Sequence, residues 1–148
     1  MSEQPLTRCE FNADKLILSL DVTLAADAEA MKPLIEQIME IVTKMGCAAG
    51  KEYEVRLAIE EAMVNAIVHG CKEDPTKKIQ CCVSCDAERG ILIIIRDPGP
   101  GFDPASIPSP IVGENIFATH GRGIFLINQL VNEVRFERGG TEIHMRID

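Results

Sequence analysis

The chain has 148 residues, 46% of them hydrophobic, enough for one domain with its own core. Its formal net charge of −8 argues against non-specific binding to nucleic acid or to an anionic membrane, both of which need a basic face. No apolar stretch approaches the roughly 20 residues that cross a bilayer. The opening residues, MSEQPLTRCEFNADK, also lack the basic-then-apolar pattern of a signal peptide, so a cytoplasmic protein without membrane contact is expected.

Residues 1–14 are expected to be a loosely ordered lead-in, and 1–148 to form a single domain. From Lys15 to Val22 apolar residues alternate, which predicts a strand with Leu16, Leu18 and Leu20 inward. From Asp27 to Met45, the positions Met31, Leu34, Ile35, Ile38, Ile41 and Val42 keep a helical period that Gly46 stops. Pro33 must kink that helix or lie in its first turn. A second helix runs from about Lys51 to His69 and ends at Gly70. Two strands follow, Lys78 to Asp86 and Gly90 to Arg96, joined by the tight turn AERG. ILIIIRD is apolar on both faces and belongs in the middle of a sheet.

A Pro- and Gly-dense segment comes next, DPGPGFDPASIPSPIVGENIFATHGRG; loops this long inside a compact domain are usually functional or disordered. Ile124 to Asn132 predicts a third helix, and NEVRFER and TEIHMRI form a closing hairpin through Gly139 and Gly140. This order predicts an α+β fold, with helices layered on one face of a mixed, largely antiparallel sheet.

The six cysteines raise metal and disulfide alternatives, with CCVSC as the obvious place for either. Strand alternation puts Ile79, Cys81, Val83 and Cys85 on one face and Gln80, Cys82 and Ser84 on the other. Cys82 and Cys85 then cannot share a metal, and no second CxxC follows. Reduced cysteines that serve as packing groups are expected.

Three segments break their local pattern in ways that suit a nucleotide. LAIEEAMVNAIVHG reads as a buried helix, yet it carries Glu61 and Asn65 one turn apart on one face, with His69 continuing the stripe. An Asn carbonyl oxygen is a hard, neutral ligand for Mg²⁺, and a nearby Glu can accept a proton from a hydroxyl or water. The alternative is a solvent-facing Glu beside a polar helix residue. In DPGPGF, Asp97 can accept a hydrogen bond from the exocyclic amine of adenine, while Gly99 and Gly101 let the backbone approach a planar base. A simple turn capped by Asp is the alternative. In HGRGIFLI, Gly121 and Gly123 precede a helix, where free N–H groups and the helix dipole can meet a phosphate. Thr141 shares the parity of Ile143, Met145 and Ile147, so its hydroxyl should face inward, toward adenine or Asp97, or bond local backbone.

Taken in order, these segments resemble the GHKL superfamily of ATP-binding domains, shared by histidine kinases, gyrase-type ATPases and Hsp90. Glu61-Ala-Met-Val-Asn65 with His69-Gly70 is similar to its N box, Asp97-Pro-Gly-Pro-Gly101-Phe to its G1 box, and Gly121-Arg-Gly123 to its G2 box. The GGT ending in Thr141 matches the adenine-side threonine. The resemblance, which spans the chain from about Lys15 to its end, implies a two-layer α/β sandwich of the GHKL (Bergerat) type.

Within the superfamily the compact form looks most like the bacterial anti-sigma factor serine kinases. The residues before Lys15 are too few for the dimerisation helices of a histidine kinase, and no further gyrase- or Hsp90-type domain is evident. The resemblance implies that ATP and ADP are the ligands, that Asn65 coordinates Mg²⁺ and that Glu61 activates a substrate hydroxyl. Asp97 and Thr141 would read adenine in a pocket shaped by Gly99 and Gly101. Residues 103–120 would form the ATP lid, with Gly121, Arg122 and Gly123 along the phosphates. Arg122 and Arg96 are the basic residues near the lid. Implied partners are a STAS-type anti-anti-sigma protein, phosphorylated on a serine or threonine, and a sigma factor, with the chain as a homodimer. A nucleotide-gated regulatory binding module without phosphotransfer is the alternative, and Glu61 separates the two.

Overall fold

The computed structural model describes residues 16–47, 49–72, 74–86, 90–99 and 127–148. Five strands form one sheet: β1 (Leu16–Ala25), β2 (Lys78–Asp86), β3 (Gly90–Arg96), β4 (Glu133–Glu137) and β5 (Glu142–Ile147). Their spatial order is β1-β2-β3-β5-β4, and every pairing among them is antiparallel. Helices α1 (Ala28–Lys44) and α2 (Glu52–Asn65) pack on one face. This is the expected α+β sandwich, with antiparallel pairs only among the described strands.

β3 occupies the centre because its residues are apolar in both directions. Ile91, Ile93 and Ile95 join the main core under the helices, while Leu92 and Ile94 pack with Cys82 on the opposite face. On β1 the alternation holds as expected, with Leu18, Leu20 and Val22 against the core and Leu24 buried. The strand runs three residues beyond Val22, to Ala25.

Asp27 caps α1 by accepting a hydrogen bond from the Glu29 N–H at 2.9 Å. Gly46 ends it in the left-handed region at φ 71°. Pro33 lies inside the helix on an exposed position, beyond the first turn, where water can satisfy the carbonyl it leaves without a donor. Arg56 of α2 reaches back to Glu36 of α1, with one bond of 3.2 Å, and this holds the Glu36 carboxyl below its ordinary range.

After α2 the chain widens into one π-type turn over Ala66–Gly70. The helical segment ends at Gly70, as expected, and the residue with positive φ after it is Lys72, at 52°. Of the helix expected from Ile124 to Asn132, residues 127–132 are described: 127–130 are helical, with Ile127 fully buried, and the helix stops before Val131, two residues earlier than expected. The final hairpin turns through Arg138, Gly139 and Gly140, all with positive φ, so β5 starts at Glu142, one residue later than TEIHMRI suggested.

The cysteine expectation needs one correction. Cys71, Cys81 and Cys82 are buried thiols outside any disulfide, and burial pushes Cys81 up to about 12, which makes it an inert packing group. Cys47 and Cys85, however, are joined as a disulfide, with a Cα–Cα distance of 5.9 Å across 38 residues of chain. The inward parity of Cys85 was legible; its partner lies in the turn after α1, and only the stacking of α1 on the sheet brings it there. Closing so long a loop is expected to stabilise the fold by roughly 2–4 kcal/mol. Urea unfolding with and without reductant should show that difference, and Cys47→Ser should abolish the reductant effect.

Candidate functional site

The site is built where the last turn of α2 meets the end of β3. The inward face of α2 is held to the core by Val55, Ala58, Ile59, Ala62 and Met63. Glu61 and Asn65 lie beside that stripe and are half-buried, so the Glu61 carboxylate is less enclosed than the apolar sequence around it suggested. Their four-residue spacing keeps both on one flank, about 5–6 Å apart at Cβ.

Asp97 continues β3 with the parity of Ile93 and Ile95 and therefore faces the helix layer. Two backbone bonds fix it. Its N–H donates to the Thr141 carbonyl at 2.9 Å, and its Oδ1 accepts from the Gly99 N–H at 2.8 Å. No described residue donates to Oδ2. Burial raises the Asp97 carboxyl above its ordinary range, against the smaller opposing effect of the Gly99 bond. An acceptor of this kind, half-buried and short of donors, fits the amine edge of adenine.

Gly70 and Gly99 leave room around this carboxylate. A Cβ on Gly70 would lie 2.6 Å from Asp97 Oδ2, and one on Gly99 would lie 2.8 Å from the Gly70 Cα. A cavity of about 480 Å³ opens at this end of the sheet and reaches Asp97, Gly99 and Thr141. It lies mainly on the face away from α2, where Thr23, Lys78, Gln80 and Arg96 line it; Glu61, Asn65 and Gly70 are not part of its lining.

Thr141 meets Asp97 through its carbonyl. Its hydroxyl donates to the Arg138 carbonyl at 2.9 Å, the local-backbone alternative, because the turn removes Thr141 from the strand whose parity would aim it inward. Arg96, one of the two basic residues near the expected lid, points away from the helix layer. It shares the parity of Leu92 and Ile94, lies on the sheet face away from α2, and its Nε is 3.9 Å from Glu142 Oε2. Gly101, Gly121, Arg122, Gly123 and the lid expected at 103–120 lie outside the described residues.

The sequence reading missed a polar network behind the site. Buried Glu142 has Arg138 Nε at 3.4 Å and the His144 Nε2 at 2.7 Å. Arg135 Nη2 lies 3.3 Å from His144 Nδ1. A guanidinium can only donate and a carboxylate can only accept, so Arg135 is the donor toward Nδ1 and Glu142 the acceptor toward Nε2. Alternating Glu, His and Arg along EIHMRI was the available signal, on the face opposite the isoleucines.

These residues fit an adenine nucleotide: an acceptor for the base, side-chain-free glycines around it, and an amide oxygen on the adjoining helix. Among the described residues no group of three or more His, Cys, Asp or Glu forms a metal cage, so Asn65 would hold Mg²⁺ only jointly with phosphate oxygens.

Fold and site together define an ATP-binding domain of the histidine-kinase type. The family model for the histidine kinase-like ATPase domain matches residues 24–147, and the chain belongs to that family. It is similar to serine-protein kinase RsbW of Staphylococcus aureus, at 28% identity over 133 residues, covering 85% of this chain and 84% of the relative; several strains give the same figures. Among solved structures, the RsbU and RsbW domains of a Mycobacterium tuberculosis protein share the fold, with a TM-score of 0.60 at 19% identity. That match covers 88% of this chain and 31% of the longer one. Among the described residues no helix is long and apolar enough to cross a membrane.

The raised Asp97 carboxyl carries a sign. The folded protein holds this proton more tightly than the unfolded chain, so its contribution is fully present below the ordinary carboxylate range. It is lost as pH rises through the raised folded value. Asp97→Asn should remove that pH-dependent loss in urea titrations of the apo protein. The same variant should weaken ATP binding by on the order of ten- to a hundredfold, the cost of a mismatched hydrogen bond to a charged group.

Proposed function

We propose that this chain is a protein-serine kinase that binds Mg-ATP, phosphorylates a STAS-type anti-anti-sigma protein and sequesters a sigma factor in the alternate state, working as a cytoplasmic homodimer. The observation that carries the reading is the seating of Asp97 against the end of the helix bearing Glu61 and Asn65, in a chain of the histidine kinase-like ATPase family. The similarity to a serine-protein kinase over most of both chains supports protein serine as the acceptor class.

When bound, ATP supplies the transferable γ-phosphoryl group and Mg²⁺ offsets its charge. Asp97 accepts from the base, and its two backbone bonds hold it so that binding needs little reordering. Asn65 contributes one neutral oxygen to the metal. Glu61, one turn earlier on the same flank, takes the proton that leaves the serine hydroxyl. Phosphoryl transfer needs mainly positioning and charge neutralisation, so one base on a rigid helix beside a metal ligand suffices. Thr141 and Gly99 fix the loop that presents Asp97. Gly101, Gly121, Arg122 and Gly123, with the lid at 103–120, are assigned to the base pocket and phosphates.

The test combines γ-labelled ATP and Mg²⁺ with a STAS-domain protein from the same source. Wild-type chain should label that protein on serine or threonine. Glu61→Gln should abolish labelling while ATP affinity stays within about tenfold, roughly 1.4 kcal/mol. Asn65→Ala should lose Mg-dependent binding. Mg-ATP at a hundred times Kd should stabilise the wild type by about 2.7 kcal/mol. Binding without any Glu61-dependent label would instead establish a nucleotide-gated binding module.

A further inference from the structure

Gly70 closes the π-type turn that follows α2, a place where a glycine is ordinarily read as a left-handed stop. Its backbone makes no such demand: φ at Gly70 is outside the positive range, and the left-handed residue is Lys72. Gly99 likewise has no positive φ. Both glycines are therefore required by space. The three atoms nearest a Cβ on Gly70 all belong to the Asp97 carboxyl group, with Oδ2 at 2.6 Å. The atoms nearest a Cβ on Gly99 are all Gly70 backbone. The contacts form a closed set: Gly70 lies against the Asp97 carboxylate, Asp97 accepts from the Gly99 N–H, and Gly99 lies against Gly70.

We propose that Gly70 is a positioning residue that sets the Asp97 carboxylate and so determines discrimination for the amino edge of adenine. The inference rests on the assignment of Asp97 to the base. A carboxylate held by one bond to a neighbouring loop residue can rotate unless something closes the other side. Here the flat, unsubstituted Cα of Gly70 closes it, and no side chain can do so without displacing the oxygens. The same contact ties the base acceptor to α2, the element carrying Glu61 and Asn65. A shift of Asp97 is thereby a shift relative to the metal ligand and the base of the proposed reaction.

The test is a double-mutant cycle read in two ways on the full chain. ATP and ITP serve as probes, because ITP carries a carbonyl in place of the exocyclic amine. Gly70→Ala is expected to lower the melting temperature and to reduce the preference for ATP over ITP by on the order of tenfold or more. In the Asp97→Ala background, which lacks the three atoms nearest that Cβ, Gly70→Ala should leave the melting temperature nearly unchanged. An equal loss of stability in both backgrounds overturns the proposal, and so does a stability coupling with the ATP preference intact when Asp97→Ala has lost that preference. Failure of the underlying assignment looks different: Asp97→Ala itself would then bind ATP and ITP as the wild type does. Should Gly70→Ala not fold, folding of the double variant is the same rescue, and its failure to fold overturns the idea.

Discussion

The contact between the last turn of α2 and the end of β3 is the constraint on which the functional end of the molecule depends. α2 is anchored by a stripe of small and medium apolar residues, and β3 by isoleucines buried on both sides. Each element is rigid for reasons of its own, because close-packed cores leave little room for adjustment. Where they meet, neither presents a side chain in the way: Gly70 and Gly99 let backbone approach backbone, and the Asp97 carboxylate fits between. Groups separated by about thirty residues in sequence thus share a fixed frame, which is what a positioned phosphoryl transfer requires.

The two faces of the sheet at this end divide the electrostatic work. On the helix face, Asp97 is half-buried with one backbone donor, and burial raises its proton affinity. On the opposite face the Glu142 carboxylate stands 3.9 Å from Arg96 Nε, 3.4 Å from Arg138 Nε and 2.7 Å from His144 Nε2, so it is set among cationic and polar partners. A carboxylate flanked by cations is neutralised in place, even with Oε2 of Glu142 accepting no hydrogen bond among the described residues, whereas one with a single described donor is open to a ligand. Strand alternation, which sends residue 96 one way and residue 97 the other, decides which is which.

The far end of the sheet is secured differently. Cys47 links the turn after α1 to β2, and Arg56 with Glu36 ties α1 to α2 at the surface. The exposed ion pair adds little, while the covalent link restricts the unfolded chain. With α2 beginning near that tie and ending at Asp97, its ends serve different purposes.

Much of this was legible before any coordinates. The two-residue period placed Ile79, Cys81 and Val83 under the helices and Cys82 behind them, and the doubly apolar ILIII run put β3 at the centre. Order and spacing of Glu61, Asn65, Asp97 and the glycine pairs were enough for the family, because local patterns carry such motifs. What failed to transfer was everything set by contacts distant in sequence. The Cys47–Cys85 pairing, the capture of Arg96 by Glu142, the turn that takes Thr141 out of strand parity and the spatial reason for Gly70 each depend on a neighbour that no periodicity names. The sequence by itself determined which elements form and which face each residue takes, since those follow from backbone geometry and burial along a single segment. The tertiary structure alone decided which charges find partners and how closely the end of α2 approaches Asp97, since those depend on packing between segments far apart in the chain.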